Sequence, residues 1–316
     1  MADSSLSHRY KQAELEYDRR IGRDGCYIGF RLDGRAFHTL TSLYEKPFDN
    51  RIIEAMLSAC RSVFDSLNGF DLVCAYVASD EISAIAWLPK GSVEAGTIPF
   101  NGRLDKISAC AASYASLYFD RSMVANGADF YANGNESRWL PASSPVPRRG
   151  SSVMPTFDCR AFTLRDADDI ERYLSWRRMD CMRNAVSAAS TELFGHRATL
   201  NKTTDERRAM LIGTPYETID GRAYRGTIMR TVQRDVETEY IDARDGKVRR
   251  VNASRTFIEA MDGTRENAAA VIREFDSTKR DAAQRTNQPP QRGEEYAEVQ
   301  QDDWNHRCDG QGGRGN

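Results

Sequence analysis

The amino-acid sequence predicts an α+β fold, in which an antiparallel sheet of the ferredoxin-like kind carries helices on one face. The first observation is the order of elements over residues 26–164, which reads strand, helix, strand, strand, helix, strand. The second is that two apolar, β-prone runs in this half end on carboxylates, at Asp33 and at Asp80-Glu81. The third is a change after residue 165 to helical and basic, hairpin-like segments. These segments predict helical and β-hairpin additions to the sheet.

Apolar spacing and turn residues give the elements in chain order. The first half is predicted to contain a charged helix at 5–20, a strand at 26–32, a helix at 49–67 capped by Asp49, a hairpin at 71–88, a helix at 103–119 and a strand at 155–164. The second half is predicted to contain a helix at 166–193, a short helix at 205–212, strands at 224–234 and 237–253 with a turn at Asp245-Gly246, and a closing helix at 254–275.

Composition excludes several classes of protein. An apolar fraction of 40% supports a substantial core, while no run of eighteen apolar residues predicts a membrane span. The polar N-terminus and seven scattered cysteines, without a metal-binding spacing, predict a cytoplasmic protein with reduced thiols. The net charge of −2 is near zero, so any bound RNA would have to contact local basic patches.

The two carboxylate sites predict a metal centre. A strand that ends at Asp33 and a hairpin that turns at Asp80 would bring these acids together, with Glu81 beside them. Convergent carboxylates suit Mg²⁺, and two such ions can orient a triphosphate and activate an attacking oxygen. The plain alternative is that Asp-Gly and Asp-Glu are ordinary solvated turns. The apolar runs beside both sites favour a functional role, because central strands seldom end in acids without a reason.

Eight short motifs carry a resemblance to a known family. In chain order they lie at 31–38 (RLDGRAFH), 45–49 (EKPFD), 75–81 (AYVASDE), 103–108 (RLDKIS), 157–160 (FDCR), 173–177 (YLSWR), 211–214 (LIGT) and 224–227 (YRGT). Together they resemble the signature of the histidine-tRNA guanylyltransferases and their reverse, 3′-to-5′, polymerase relatives. The resemblance implies a polymerase-palm domain that adds nucleotides to RNA 5′ ends. A nucleoside triphosphate would activate the 5′ phosphate, and the 3′ hydroxyl of GTP would attack it. The implied partners are GTP, ATP, tRNA and further copies of the chain in a tetramer.

The resemblance also implies roles for individual residues. Asp33, Asp80 and Glu81 match catalytic acids, and the metal ligands would be Asp33, Asp80 and the carbonyl of Gly34. The backbone of the 34–37 turn is a candidate phosphate cradle. The full set of predicted nucleotide-binding residues is Gly34, Arg35, Ala36, Phe37, His38, Lys46, Ser79, Arg103 and Lys106.

Basic residues in the second half predict contacts to RNA. The predicted 166–193 helix carries several arginines, for which ordinary solvation is the alternative interpretation. The predicted RNA-binding residues are Arg172, Arg177, Arg178, Arg183, Asn184 and Arg225.

Two motifs depart from the family. Its His-Ile-Asn-Asn run is replaced by Met182-Arg183-Asn184-Ala185, and the Lys-Asn-Glu expected after Gly213-Thr214 is absent. These are the positions through which the resemblance would carry selective handling of the histidine tRNA. We therefore expect relaxed discrimination among RNAs with an intact metal centre.

The predicted domain organisation has three parts. Residues 1–165 would form the palm-like catalytic domain, with a long loop at 122–155 that is rich in Asn, Gly, Ser and Pro. Residues 166–275 would form a helical and basic hairpin extension packed on the palm. Residues 276–316 lack Ile, Leu, Phe and Met, which predicts a disordered tail.

Three functions fit these residues. The first is a metal-dependent nucleotidyltransferase that acts on the 5′ end of tRNA. A nucleotide cyclase would use the same fold and acids without RNA, but the basic segments argue mildly against it. A non-catalytic RNA-binding module would not need Asp33, Gly34, Asp80 and Glu81 together.

Overall fold

In the part of the chain that the structure describes, six strands form one antiparallel sheet in the order β4-β1-β3-β2-β5-β6. The structure is a computed structural model that describes residues 9, 12, 18–41, 44–126, 155–241, 243–244 and 246–286. The first four strands form the predicted ferredoxin-like core, and β5 and β6 extend it at the β2 edge. The strands are β1 (Cys26–Gly34), β2 (Asp71–Ala78), β3 (Glu81–Leu88), β4 (Phe157–Leu164), β5 (Thr227–Ile241) and β6 (Val248–Asp262).

Seven helices accompany the sheet within the described residues. Asp49 caps α2, as the sequence predicts, and its side chain accepts a hydrogen bond from the backbone N–H of Arg51. A left-handed Gly195 interrupts the last turn of α4. The helices are α1 (Phe37–Thr41), α2 (Asn50–Ser66), α3 (Leu104–Asn126), α4 (Ala167–Thr199), α5 (Thr204–Met210), α6 (Gly221–Arg225) and α7 (Arg265–Thr286), with a short 3₁₀ helix at Pro99–Gly102.

Alternation along the strands sends side chains into two cores, one on each face. Phe30 and Leu32 are fully buried among residues of α2 and α3, the helices predicted for one face. Tyr27 lies on the other face, where α4 and α7 contribute Leu174 and Ile272. The extension therefore covers the second face of the palm sheet. Truncating a fully buried aromatic such as Phe30 typically costs about 3–5 kcal/mol.

The chain divides into two units, Met1–Asp276 and Ser277–Asn316, and the sheet lies in the first unit. In the second, the structure describes only the end of α7. None of the helices in the described part of the chain is long and apolar enough to span a membrane. Six of the seven cysteines are described and all six are free thiols, while Cys308 is outside the described residues.

The C-terminal elements differ from the prediction. Residues 254–262, predicted as helix, belong to β6, where Ser254 pairs with Asp235 and Asp262 pairs with Thr227. Because Thr256, Phe257 and Ile258 are good strand formers and face β5, cross-strand pairing outweighs helical spacing here. The predicted 237–253 hairpin is instead the distal part of one hairpin that runs from Thr227 to Asp262.

Several predicted boundaries also move. Helix α3 continues to Asn126, so the predicted 122–155 loop begins as helix, and 127–154 lie outside the described residues. Helix α7 continues to Thr286, past the predicted start of a disordered tail, and 287–316 lie outside the described residues. The predicted 5–20 helix also lies largely outside them, as does Asp245 of the predicted turn.

Within the described residues, the β5–β6 hairpin pairs with the rest of the sheet at its base only. Residues Thr227 to Met229 pair with β2, whereas the rest of β5 has β6 as its one described partner strand. The chain enters β5 through Gly226 at φ +73°, where a Cβ would lie 2.4 Å from the Val77 carbonyl oxygen. Only glycine fits this close approach without a shift.

Candidate active site at the β1 and β2–β3 rim

The ends of β1 and the β2–β3 hairpin form one rim of the sheet. Asp33 pairs with Glu81 across β1 and β3, and the Gly34 N–H donates to the Asp80 carbonyl oxygen at 2.9 Å. This register brings Asp33, Gly34 and Asp80 together, as the sequence predicts. It also places Asp158 opposite Asp33 on β4. We did not predict Asp158, although the antiparallel order would have placed the start of β4 beside the end of β1.

Two non-glycine residues at this rim adopt left-handed backbone conformations. Ala36 follows β1 with φ +55°, and Ser79 lies in the β2–β3 turn with φ +53°. Such conformations cost free energy for residues that carry a Cβ, and they concentrate at functional sites. Strain on both loops of one rim supports a functional assignment there.

The predicted phosphate cradle is incomplete. The N–H groups of Gly34 and Arg35 already donate, to Asp80 and to the Thr156 carbonyl oxygen at 2.8 Å. The Phe37 ring packs between Phe119 and Phe157 at 5.1 Å, and it fills the space that a Cβ on Gly34 would need. Of the four backbone donors predicted at 34–37, two therefore bond within the protein.

Asp33 and Asp80 form no ion pair with any described residue. Both are half-buried. Burial raises the pKa of Asp80 and the charge of Asp33 raises it further, against the Ser79 hydroxyl and His38, which lower it. Two neighbouring carboxylates without an ion pair to any described side chain form a site that favours a bound cation.

The donor set of the rim consists of oxygens. Among the described residues, no three His, Cys, Asp or Glu side chains form a group that could hold a metal. Two carboxylates and a backbone carbonyl suit Mg²⁺ better than zinc, because Mg²⁺ keeps several waters and takes further oxygens from substrate phosphates. The residues present therefore fit magnesium ions that are shared with a nucleotide.

Glu81 differs from Asp80 although the two are adjacent. Its carboxylate is buried and accepts two hydrogen bonds from Arg177, at 2.7 and 2.6 Å, and one from Ser83 at 3.2 Å. Arg31 lies 3.9 Å away. Burial is the main influence that raises the pKa of Glu81, and Arg177 opposes it. The charge of Glu81 is thus compensated inside the protein, where it joins β3 to α4.

A cavity of about 380 Å³ adjoins the rim. Its size is in the range of small-molecule sites. Ile52, Met56 and Phe48 supply an apolar wall, while Thr41, Tyr44 and Arg222 add polar groups that we did not predict. No motif in the sequence marks Arg222. The predicted residues that line the cavity are Phe37, His38, Lys46, Ser79, Asp80 and Asn184.

Arg103, which we predicted to bind nucleotide together with Lys106, lies away from this rim, and the role of both residues stays a prediction. Arg103 lies 3.0 Å from Asp18 and pairs with Arg20 near the start of β1. That end of β1 pairs with Leu88, whereas the Asp33 end pairs with Glu81. Strand β3 runs away from the hairpin turn, so the helix that follows it begins at the far end of the sheet.

The predicted RNA-binding residues do not share one surface. Arg177 is largely buried against Glu81, and Arg225 pairs with Asp262 at 2.9 Å. Arg183 donates to Asp180 at 2.6 Å. Arg178 is half-buried, Asn184 lines the cavity, and Arg172 is exposed on the first turns of α4.

A family model described as Thg1, tRNAHis guanylyltransferase, matches residues 8–165, half of the chain. The match includes Asp33, Asp80, Glu81 and Asp158. The whole rim therefore lies within the matched segment.

Individual proteins are similar over comparable lengths. An uncharacterised protein of Acanthamoeba polyphaga mimivirus, R259, is 29% identical over 200 residues, 60% of this chain and 63% of that protein. The tRNA(His) guanylyltransferase of Saccharomyces cerevisiae is 29% identical over 157 residues, 49% of this chain and 56% of the enzyme. The chain thus spans less than two thirds of either relative.

A solved structure shares the fold. It is a bacterial tRNA(His) guanylyltransferase (Thg1)-like protein in complex with ATP, with a TM-score of 0.57 and 24% identity. The likeness covers 71% of this chain and 87% of that one.

Proposed function

This chain belongs to the tRNAHis guanylyltransferase family, and from that premise we propose that it is a metal-dependent nucleotidyltransferase that adds guanosine or other nucleotides to the 5′ end of tRNA. The observation that carries the proposal is the pair Asp33 and Asp80, two half-buried carboxylates without a cationic partner among the described residues, beside a nucleotide-sized cavity. Carboxylates in that state can hold a cation, and the cation can in turn bind the phosphates of a nucleotide.

Asp33, Asp80 and the Gly34 carbonyl are the residues that would hold two Mg²⁺ ions. When bound, such ions activate an attacking hydroxyl and orient a triphosphate. The chain itself fixes the two carboxylates through the β1–β3 register and the bond from Gly34 to Asp80. No nucleophilic side chain is required, because phosphoryl transfer depends mainly on positioning and electrostatics.

The cavity supplies groups for GTP and ATP. Lys46 and His38 line it on the side of α1, and both are exposed to an entering phosphate. Ser79 offers a hydroxyl beside Asp80. The apolar wall formed by Phe48, Ile52 and Met56 suits a base or ribose. We assign Lys46, His38 and Ser79 to the polyphosphate, since their donors face developing negative charge.

Substrate choice is expected to be relaxed. Of the segment that replaces the family's His-Ile-Asn-Asn, Asn184 lines the cavity and Ala185 is buried there. Arg183 pairs with Asp180 but is exposed, so its guanidinium can reach an RNA phosphate. Such a phosphate contact carries no sequence information. The enzyme should extend 5′-truncated tRNAs of several identities with nucleotides that pair with the opposite strand.

The proposed assembly is a homo-oligomer, as the family resemblance implies. A measurement of molecular mass in solution tests it.

The alternative of a nucleotide cyclase uses the same acids and fold but needs no RNA. Family membership does not favour it. Incubation of the protein with labelled GTP and Mg²⁺, with and without tRNA, separates the candidates. Label in RNA supports the proposal, and label in a cyclic product supports the cyclase. No turnover with any tRNA supports an RNA-binding module.

A second assay tests substrate choice. We would compare kcat/KM for an intact histidine tRNA with that for truncated tRNAs of two other identities. Extension of the histidine tRNA alone, by a guanosine regardless of the opposing base, would contradict relaxed choice and identify a strict guanylyltransferase.

A further inference from the structure

A second recess lies between edge strand β4 and the first turns of α4. We call it the β4–α4 groove, and its volume is about 570 Å³. Because β4 ends the sheet, the groove is open along its outer side. Residues that define it are Arg31, Arg160, Phe162, Arg172, Tyr173 and Trp176.

Aromatic rings form a stepped series in this groove. Phe162 lies 4.9 Å from Tyr173, which lies 6.0 Å from Trp176, measured between ring centroids. The Tyr173 hydroxyl is fixed by Ser83 at 2.8 Å. Gly29 leaves space for the Phe162 ring, since a Cβ on Gly29 would lie 2.4 Å from that ring. The series is therefore held in place, and it ends on Trp176, whose surface is 51% exposed.

Arginines surround these rings. Arg172 is exposed, and Arg160, with 60% of its side chain exposed, donates to the exposed carboxylate of Asp158 at 3.3 Å. The carboxylate in the groove, Asp169, is already engaged by Arg165 in two bonds of 3.0 Å. The guanidinium of Arg177 stacks on the inner side of Trp176 at 4.5 Å. The lining of the groove thus contains three arginines and one carboxylate around an exposed ring.

Rings that alternate with arginines are suited to unpaired nucleotides. Bases with free faces stack on aromatic side chains, while arginines contact the phosphates between them. A duplex is recognised through its backbone and has no free base face to offer to Trp176. Positive charge favours RNA over a neutral or basic protein segment.

The groove lies close to the rim. Arg31 precedes Asp33 by two residues on β1 and pairs with Arg160, just as Asp33 pairs with Asp158. Two residues span about 7 Å along a strand, roughly the reach of one nucleotide. Residues i and i+2 of a strand also lie on the same face.

We propose that the β4–α4 groove binds the unpaired 3′-terminal nucleotides of the tRNA whose 5′ end lies at Asp33 and Asp80. The inference rests on the proposed function, because the 3′ single strand of a tRNA leaves the acceptor stem beside its 5′ end. Trp176 and Tyr173 stack the bases, and Arg160 and Arg172 contact the phosphates.

The test compares two RNA hairpins that share one stem, of which one carries a short single-stranded 3′ extension and the other is blunt. Binding to the full chain is measured by fluorescence anisotropy without nucleotide. The wild type should prefer the extended hairpin by about tenfold, the size of one base–aromatic stack. Trp176→Ala should abolish this preference, whereas Trp176→Phe should keep most of it.

Matched variants complete the test. Tyr114→Ala removes another exposed aromatic residue on α3 and should leave the preference intact. Arg172→Ala should lower the salt dependence of binding by about one counterion for the extended hairpin only.

Each outcome decides the proposal. If Trp176→Ala weakens the binding of both hairpins equally, the groove contacts duplex RNA. If it weakens the binding of neither, the groove does not bind RNA and is better explained as a contact site for a protein partner. Either result overturns the proposal. Asp80→Asn should retain the preference for the extended hairpin while losing nucleotide transfer. A preference without transfer by the wild type would therefore refute the proposed function and leave the groove assignment standing.

Discussion

Two neighbouring carboxylates show how differently this fold treats negative charge. Glu81 is buried and held by Arg177 through two short hydrogen bonds, so its charge is compensated. Asp80, one residue earlier, faces a cavity beside Asp33 and pairs with no described cation. The difference separates an acid that joins two elements from an acid that is available to a ligand. Composition and motif cannot make this distinction, because both residues lie in one Ser-Asp-Glu turn.

The largest effect should follow from neutralising the uncompensated acids. Asp33→Asn or Asp80→Asn should lower kcat/KM for tRNA extension by about a hundred- to a thousandfold, because each removes charge that would hold metal and triphosphate. The free energy of unfolding should stay the same or rise, since burial raises the pKa of Asp80 and its ionised form opposes folding. Labelled-GTP transfer and urea unfolding measure the two quantities. Full activity in either variant would refute the assignment.

Breaking the compensated pair should affect stability first. Arg177→Met leaves Glu81 buried without its partner and should cost about 3 kcal/mol of unfolding free energy. The double variant Glu81→Gln with Arg177→Met should lose less than the two single variants together. Urea unfolding of all three gives the coupling free energy. Additive losses would show that the two side chains do not depend on each other.

Asp49 extends the comparison to a third acid at the cavity. Burial raises its pKa, but hydrogen bonds from Arg51 and Glu45 outweigh this and lower the pKa overall. The stabilisation is therefore present above the unfolded pKa near 4 and is lost as the pH falls through the lower folded value. Asp49→Asn keeps a cap acceptor without charge and should cost about 1 kcal/mol at neutral pH.

The check on Asp49 is a pair of urea titrations at pH 7 and at about pH 3. The difference between wild type and Asp49→Asn should shrink at the lower pH. A constant difference would attribute the effect to packing alone.

The smallest effect should come from Arg183→Met, which is the surface counterpart of Arg177→Met on the same helix. Arg183 pairs with Asp180 in an exposed position. Removing it should change the free energy of unfolding by less than about 0.5 kcal/mol. A loss as large as that of Arg177→Met would remove the distinction between the two arginines.

The sequence predicts the parts of the fold that depend on local pattern. The strand order and the meeting of Asp33 with Asp80 follow from apolar runs and a short turn. The Glu81–Arg177 pair spans 96 residues, and no local signal announces it. Residues 254–262 were predicted as helix because their helical spacing was read without the partner strand β5. Arg103 was assigned by motif resemblance, although the direction of β3 already implied the far end of the sheet.

The narrow attachment of the β5–β6 hairpin has a consequence for dynamics. Beyond Met229 no third strand of the described residues pairs with this ribbon, and isolated two-stranded hairpins are marginally stable. Amide protons of its outer part should exchange with solvent through local opening, while those of Ala75 to Val77 should exchange only when the whole domain unfolds. Arg230 ties the base to Glu259 and to Glu274 of α7, which limits how far the opening travels. The hairpin should therefore behave as a separate cooperative unit that opens and closes while the rim that carries Asp33 and Asp80 remains folded.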